Sequence, residues 1–307
     1  MTVQVFGHKS PDTDSTGSPI LWAWYLNEVR NIAAEPRLLG TPNTEAAFVL
    51  KHWDLASPEV LGSLAEGDPV VIVDTNNPSE LPDNINGCDI QAIIDHHKLV
   101  GGLETKAAID ITIRPLACTA TIMIDLMGPE AAAQMPRAIK GAALSCILSD
   151  TLEFRSPTTT DHDRALAVKL AEDLGLCIPE YAAHMFAAKS DVSAFSDTEL
   201  LRMDSKEFIV GGVKLRVSVL ETTSPATVMS RKASLMQTMA TVAAEDGVDQ
   251  VLLFVVDILN TVSTLLVQNA AVKAIAEASF SGTIKDDCLV LPGVVSRKKQ
   301  IIPQLTV

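Results

Sequence analysis

Residues 70–98 read VVIVDTNNPSELPDNINGCDIQAIIDHHK, in which two largely apolar runs, the second interrupted only by Gln91, each close on an aspartate. A strand with one wet face alternates apolar and polar residues, whereas a strand covered on both faces reads as a continuous apolar run. Val70–Asp74 and Ile90–Asp95 are therefore predicted as buried strands, with Val3–Phe6 a third of the same kind. Helical patterns are read at Pro19 to Asn31, Glu45 to Trp53, Arg137 to Leu148 and about His162 to Leu174, the last stopped by Gly175. Ile139, Ala142, Ala143, Leu144, Ile147 and Leu148 form a helical stripe within the third. Such alternation predicts an α/β fold: a parallel sheet with helices on both faces.

The pattern changes after about Lys189. Ser190 to Thr198 is polar and aperiodic. Phe208–Val210 and Val213–Leu220 then flank Gly211-Gly212, the signature of a β-hairpin. A helix over Thr227 to Glu245, strands over Gln250 to Ile258 and Ser263 to Gln268, and a helix over Ala270 to Ala278 complete a smaller α/β unit. The expected division is a first domain over 1–189, a linker over 190–194 and a second domain over 195–307.

With 47% hydrophobic and 20% charged residues over 307 positions, the chain can bury a full core. Its formal net charge is −14 and its pI about 4.8, which disfavours nucleic acid and anionic membrane as partners. The longest apolar run, Val251 to Val256, is too short to span a bilayer, and the amino terminus has no signal-peptide pattern. Five scattered cysteines with no Cys-x-x-Cys pair read as small buried residues in a reducing compartment. A cytoplasmic enzyme is the expectation.

Chemistry concentrates where predicted strands end. His8, Asp12 and Asp14 follow Val3–Phe6, Asp74 closes VVIVD, Asp95, His96 and His97 close AIIDHH, and Asp150 closes the helical SCILSD. Strand carboxyl ends are the ligand side of an open α/β sheet. Any one of these groups alone would more often be a turn or a helix cap. Together they crowd several carboxylates into one place, which is costly unless they are protonated or bound to metal. Mixed oxygen and imidazole donors suit manganese, cobalt, iron or zinc better than calcium. A second, cationic set comprises Lys206, Arg297 and Lys298, whose fork and point charges suit phosphoryl oxygens; the bland alternative is a solvated surface.

These residues resemble those of the family II inorganic pyrophosphatases of the DHH phosphoesterase superfamily. The matching segments are GHKSPDTD (7–14), VIVDTNN (71–77), IIDHHK (93–98), ACTAT (117–121), LSDTLEF (148–154), SPTTTD (156–161), DSKEF (204–208) and GVVSRKKQ (293–300). The resemblance implies one metal held by His8 and Asp12, a second held by Asp14, His96 and Asp150, and Asp74 bridging both. It implies two manganese or cobalt ions at the protein site, with magnesium or further manganese accompanying the substrate. Pyrophosphate would be hydrolysed to two phosphates by a metal-activated hydroxide between the domains. Asp14 and Asp74 would position the hydroxide, His97 would contact substrate, and Lys206, Arg297 and Lys298 would grip its oxygens. A homodimer through the first domain is implied as well. One departure is visible: the family commonly has histidine after the bridging aspartate, where this chain has Thr75. The interval before the Asp74 strand is too short for the nucleotide-binding insertion of the family's regulatory branch.

Overall fold

The structure, a computed structural model, describes residues 1–307. It divides into two compact units, Met1–Ala188 and Lys189–Val307.

The first unit runs β1 (Val3–Phe6), α1 (Thr13–Glu28), β2 (Ala34–Leu38), α2 (Thr44–His52), β3 (Glu59–Val60), β4 (Pro69–Val73), β5 (Asp89–Asp95), β6 (Asp110–Ile113), α3 (Thr119–Gln134), α4 (Arg137–Asp150), α5 (Asp161–Leu174) and α6 (Ile178–Lys189). Its six strands lie in the order β3-β2-β1-β4-β5-β6 and pair in parallel throughout. The apolar runs at 70–74 and 90–95 are the central β4 and β5, and every residue of β4 is buried. Phe6, Val70, Ile72, Ile90 and Ile93 pack into one cluster with Leu81 and Ile85. The chain leaves β1 toward β2 and β3, then returns to place β4 on the other side of β1. Beyond the carboxyl ends of β1 and β4 lies the point where strand order reverses and a crevice opens.

The helix expected from Pro19 starts at Thr13 and ends at Glu28. Asp12 caps it, accepting the Ser15 N–H at 2.9 Å, and Pro19 is carried inside the helix. The polar first turns carry no apolar stripe to mark them as helix, yet Thr13, Asp14, Ser15, Thr16 and Ser18 are all buried. α1 packs against α3 and α4 as well as the sheet, so it has no solvent face to give it an amphipathic stripe. Strands β2, β3 and β6 and helices α3 and α6 were not foreseen. β2 reads AEPRL and β6 reads DITI, and neither is a buried apolar run.

The second unit contains α7 (Asp197–Met203), β7 (Ser205–Val210), β8 (Val213–Thr222), α8 (Pro225–Met229), α9 (Lys232–Asp246), β9 (Gln250–Asp257), β10 (Val262–Leu266), α10 (Ala270–Ser279) and β11 (Cys288–Pro292). The sheet order is β11-β10-β9-β8-β7, with β8 and β9 parallel and the other pairs antiparallel. The β7–β8 hairpin turns on Gly211 and Gly212, at φ 56° and 87°, where glycine avoids the strain of a left-handed turn. Along β9, Leu252, Phe254 and Val256 enter one apolar cluster and Val251, Leu253 and Val255 the other, so both sheet faces are covered. The single helix expected over 227–245 is two, α8 and α9, broken at Ser230 and Arg231. There Arg231 reaches the carbonyls of Val192 and Phe195 at 2.8 Å and the Asp197 carboxylate at 2.5 Å. Residues 190–194, expected to link the domains, are thus tied to the second unit. Ser190 Oγ also accepts the Thr223 and Ser224 N–H groups at 3.0 and 3.1 Å.

Candidate metal centre

Past β1 the His8 N–H donates to Ser15 Oγ at 2.8 Å, folding the chain onto α1. A Cβ on Gly7 would lie 2.1 Å from that oxygen and 3.1 Å from Ser15 Cα, so this close approach requires glycine. His8 Nδ1 lies 2.8 Å from Lys9 O, and a carbonyl only accepts, so Nδ1 carries a proton and Nε2 is left for the crevice. Nε2 is 3.5 Å from Asp74 Oδ2 and 3.7 Å from Asp12 Oδ2.

Asp74 follows β4 with φ +58°, a left-handed turn that lifts its carboxylate over the strand ends. Its other oxygen, Oδ1, is 3.4 Å from His96 Nε2 and accepts Thr119 Oγ1–H at 3.1 Å. His96, after β5, turns Nδ1 to Leu116 O at 3.3 Å, so it too presents Nε2 to Asp74. His97 is half-exposed; its Nδ1 is 2.9 Å from Asp95 Oδ1 and 3.9 Å from Asp74 Oδ1. Asp95 also accepts from Asn76 Nδ2 at 2.5 Å and from the His97 N–H at 3.0 Å. Buried Asp14 accepts Ser18 Oγ–H at 2.6 Å on one oxygen and the Thr119 N–H at 2.7 Å on the other. Thr75 is buried, donates to Glu80 Oε2 at 2.6 Å and accepts the Asn77 N–H at 3.1 Å.

Three groupings have donor atoms all within 4.8 Å of one another: His8, Asp12 and Asp74; Asp14, His96 and Asp150; and Asp74, His96 and His97. The crevice above them has a volume of about 540 Å³ and is also lined by Lys98. Burial works to lower the His8 pKa, but hydrogen bonds to Asp12 and Asp74 carry it up to about 11. His96 is likewise opposed by burial and raised to about 9, by Asp74 and the charge of Asp14. Asp74 itself is depressed, because His8 and His96 outweigh the penalty of burial. Burial and the neighbouring Asp74 push Asp14 up to about 6, and burial with Asp14 and Asp74 raises Asp150 well above the usual carboxylate range. Asp150 Oδ2 is buried without a hydrogen-bond partner. An orphaned carboxylate oxygen beside other crowded carboxylates is what a cation site looks like from the ligand side, and the donor set fits a borderline divalent ion.

In the second unit, Lys206 on β7 and Arg297 and Lys298 beyond β11 line a separate cavity of about 590 Å³, with Asp204 and Glu221 among its other walls. Arg297 donates to Asp204 O at 2.8 Å and Asp204 Oδ1 at 2.7 Å. Gln300 braces this turn, accepting the Val295 and Ser296 N–H groups at 2.9 and 3.0 Å and donating to Gly293 O at 2.6 Å.

Residues 2–149 match the DHH family N-terminal domain and residues 183–307 the DHHA2 domain. The manganese-dependent inorganic pyrophosphatase of Bacillus subtilis is 36% identical over 306 residues, covering 99% of this chain and 97% of that one. A Bacillus licheniformis protein named "probable manganese-dependent inorganic pyrophosphatase" is also 36% identical, with the same coverage. The crystal structure of a candidate family II inorganic pyrophosphatase from Methanococcus jannaschii superposes with a TM-score of 0.61 at 33% identity, covering 99% and 98% of the two chains. This chain belongs to the family II inorganic pyrophosphatases.

In this family II pyrophosphatase chain, the candidate donors at the strand ends are backed by a layer of hydroxyl and backbone groups. Ser18, Leu116 and Thr119 touch Asp14, His96 and Asp74 directly. In ACTAT (117–121) the hydroxyls and backbone groups carry no sequence signal of their own, because only the fold shows what they face. Lys98, next to the two histidines, also lines the crevice.

Proposed function

We propose that this chain is an inorganic pyrophosphatase that hydrolyses pyrophosphate to two phosphates at a dinuclear metal centre in its first unit. The observation that carries the reading is Asp74, whose two oxygens lie 3.5 and 3.4 Å from imidazole nitrogens of two different chain segments, His8 and His96. A carboxylate so divided suits one ion on each side. His8 and Asp12 would hold one, Asp14, His96 and Asp150 the other, with Asp74 shared between them. Manganese is the first choice and cobalt the second, with magnesium or manganese entering with substrate. Two such ions supply Lewis-acid charge and a water acidified to near neutrality for in-line attack at phosphorus.

The remaining roles fall to the chain. Asp14 and Asp74 orient the attacking oxygen. His97, its Nδ1 held by Asp95 Oδ1, turns Nε2 toward a phosphoryl oxygen as donor. Lys206, Arg297 and Lys298 supply phosphate-binding cations from the second unit, which makes 189–307 the substrate-binding domain and 1–188 the metal-binding one. We further propose a cytoplasmic homodimer through the first unit. The β6 edge, with Ile111 exposed, offers unpaired backbone to a second copy. No helix is long and apolar enough to cross a membrane, and the net charge of −14 argues against nucleic-acid substrates.

Phosphate release from pyrophosphate, polyphosphate, nucleotides and a dinucleotide, assayed with manganese, cobalt or magnesium, tests this. Pyrophosphate alone should turn over rapidly, and Asp12→Ala and His96→Ala should nearly abolish turnover. A fully active Asp74→Ala protein sinks the proposal.

A further inference from the structure

We infer that Asp163 is a positioning residue for the metal centre, acting through the four residues Leu116–Thr119. The inference rests on the metal reading above. This short segment touches three of the proposed ligands. Leu116 O accepts from His96 Nδ1 at 3.3 Å, the Thr119 N–H donates to Asp14 Oδ2 at 2.7 Å, and Thr119 Oγ1–H donates to Asp74 Oδ1 at 3.1 Å. The tautomer of His96 and the orientations of Asp14 and Asp74 are therefore set together by one stretch of backbone. Nothing in the segment fixes itself: Cys118 stands at the N-cap of α3 without a side-chain cap bond.

The brace comes from α5. Asp163 is fully buried, and its Oδ2 accepts the Ala117 N–H at 3.0 Å while Oδ1 accepts Thr121 Oγ1–H at 2.7 Å. One carboxylate thus grips the residues on either side of Cys118–Ala120. It is itself immobilised by Thr160, whose N–H and Oγ1–H reach Oδ2 at 3.2 and 2.5 Å in the capping box of α5. Every contact is a donor pointing at an acceptor-only group, so the charge is compensated without any cationic side chain. The arrangement links ACTAT to Thr160 of SPTTTD and the Asp163 that follows it, two motifs that supply none of the proposed metal ligands. Partners of metal ligands typically hold ten- to a hundredfold of metal affinity.

The test is manganese binding by the substrate-free protein, read as loss of the free Mn²⁺ electron paramagnetic resonance signal. Wild type, Asp163→Ala, Asp163→Asn and Thr121→Val are compared, each first checked for folding by circular dichroism. Asp163→Ala should weaken binding by roughly tenfold or more. Asp163→Asn should recover most of it, since its amide oxygen still accepts from Ala117 and its amide nitrogen can donate to Thr121 Oγ1. Should Asp163→Ala not fold, the isosteric Thr121→Val carries the test, with a severalfold loss expected. Wild-type affinity in the folded variants, with only a lower melting temperature, overturns the inference and leaves the metal reading standing. Failure of wild type to bind manganese overturns both.

Discussion

His97 Nδ1 and Asp95 Oδ1 lie 2.9 Å apart, and this bond is the main reason the His97 pKa is raised. Both Asp95 oxygens face donors, the His97 ring and N–H on one side and Asn76 on the other. Asparagine at 95 must therefore oppose an N–H to an N–H on one side or the other. Asp95→Asn should lower kcat by roughly tenfold or more. A group with a raised pKa keeps its proton to higher pH, so removing the cause moves the alkaline loss of activity to lower pH. An unmoved alkaline limb in the pH–rate profile would rule out His97 as the donor.

The metal-free protein should lose stability as pH rises from about 6.5. His8 and His96 have folded pKa values of about 11 and about 9, against an ordinary 6.5. Their stabilising contribution is complete below 6.5 and lost as pH climbs through the folded values. Asp14, raised to about 6 from 3.8, loses its contribution earlier, between those values. Asp74, depressed, acts oppositely, and its share disappears only in acid. Melting temperatures measured between pH 6.5 and 9 should fall by several degrees without metal. With saturating manganese the slope should vanish, because a bound ion replaces the protons.

That replacement should be visible directly. Manganese requires neutral imidazole, so binding at pH 7 should expel on the order of two protons, from His8 and His96. Calorimetric titration in two buffers of different ionisation enthalpy gives the number. A value near zero would contradict the donor set.

Arg297 donates to both the carbonyl and the carboxylate of Asp204, a two-point grip that a lysine cannot reproduce. Arg297→Lys and Lys298→Ala should each raise the KM for pyrophosphate by roughly tenfold and change kcat less. Steady-state kinetics at saturating metal separates the two effects, and a pure kcat defect would remove these cations from the substrate-binding role.

Gly141 predicts a purely structural defect. A Cβ there would lie 2.1–2.4 Å from three ring carbons of Trp53. That indole is held by Tyr181 OH at 2.7 Å and Ser145 Oγ at 3.3 Å, so it cannot easily retreat. Gly141→Ala should cost about 1–3 kcal/mol in denaturant unfolding and leave manganese affinity nearly unchanged.

The central sheet was legible because β4 is buried throughout and β5 buries its closing Ile93 and Ile94, so both carry apolar runs into their aspartates. β2 and β6 were not, since AEPRL and DITI join the sheet through parallel backbone pairing that side chains do not announce. In the candidate site, Asp74 and the two histidines could be found because strand ends collect ligands. Thr119 could not: its partner Asp14 is 105 residues away, and a threonine opening a helix ordinarily serves only its own first turn. Asp163 was invisible for the same reason, 46 residues from the N–H it accepts.

The turn at Asp74 constrains more than geometry. At φ +58° the backbone favours glycine, asparagine and aspartate, and other side chains cost about 1–2 kcal/mol. The proposed bridging role would ask in addition for an anionic oxygen on each side. Glutamate satisfies the charge and strains the chain, while asparagine relaxes the chain and loses the charge. Two independent filters, one steric and one electrostatic, overlap on a single amino acid. Variation at this position therefore has no neutral path, whereas Thr75 next to it answers to a different demand, its hydroxyl donating to Glu80 and accepting the Asn77 N–H.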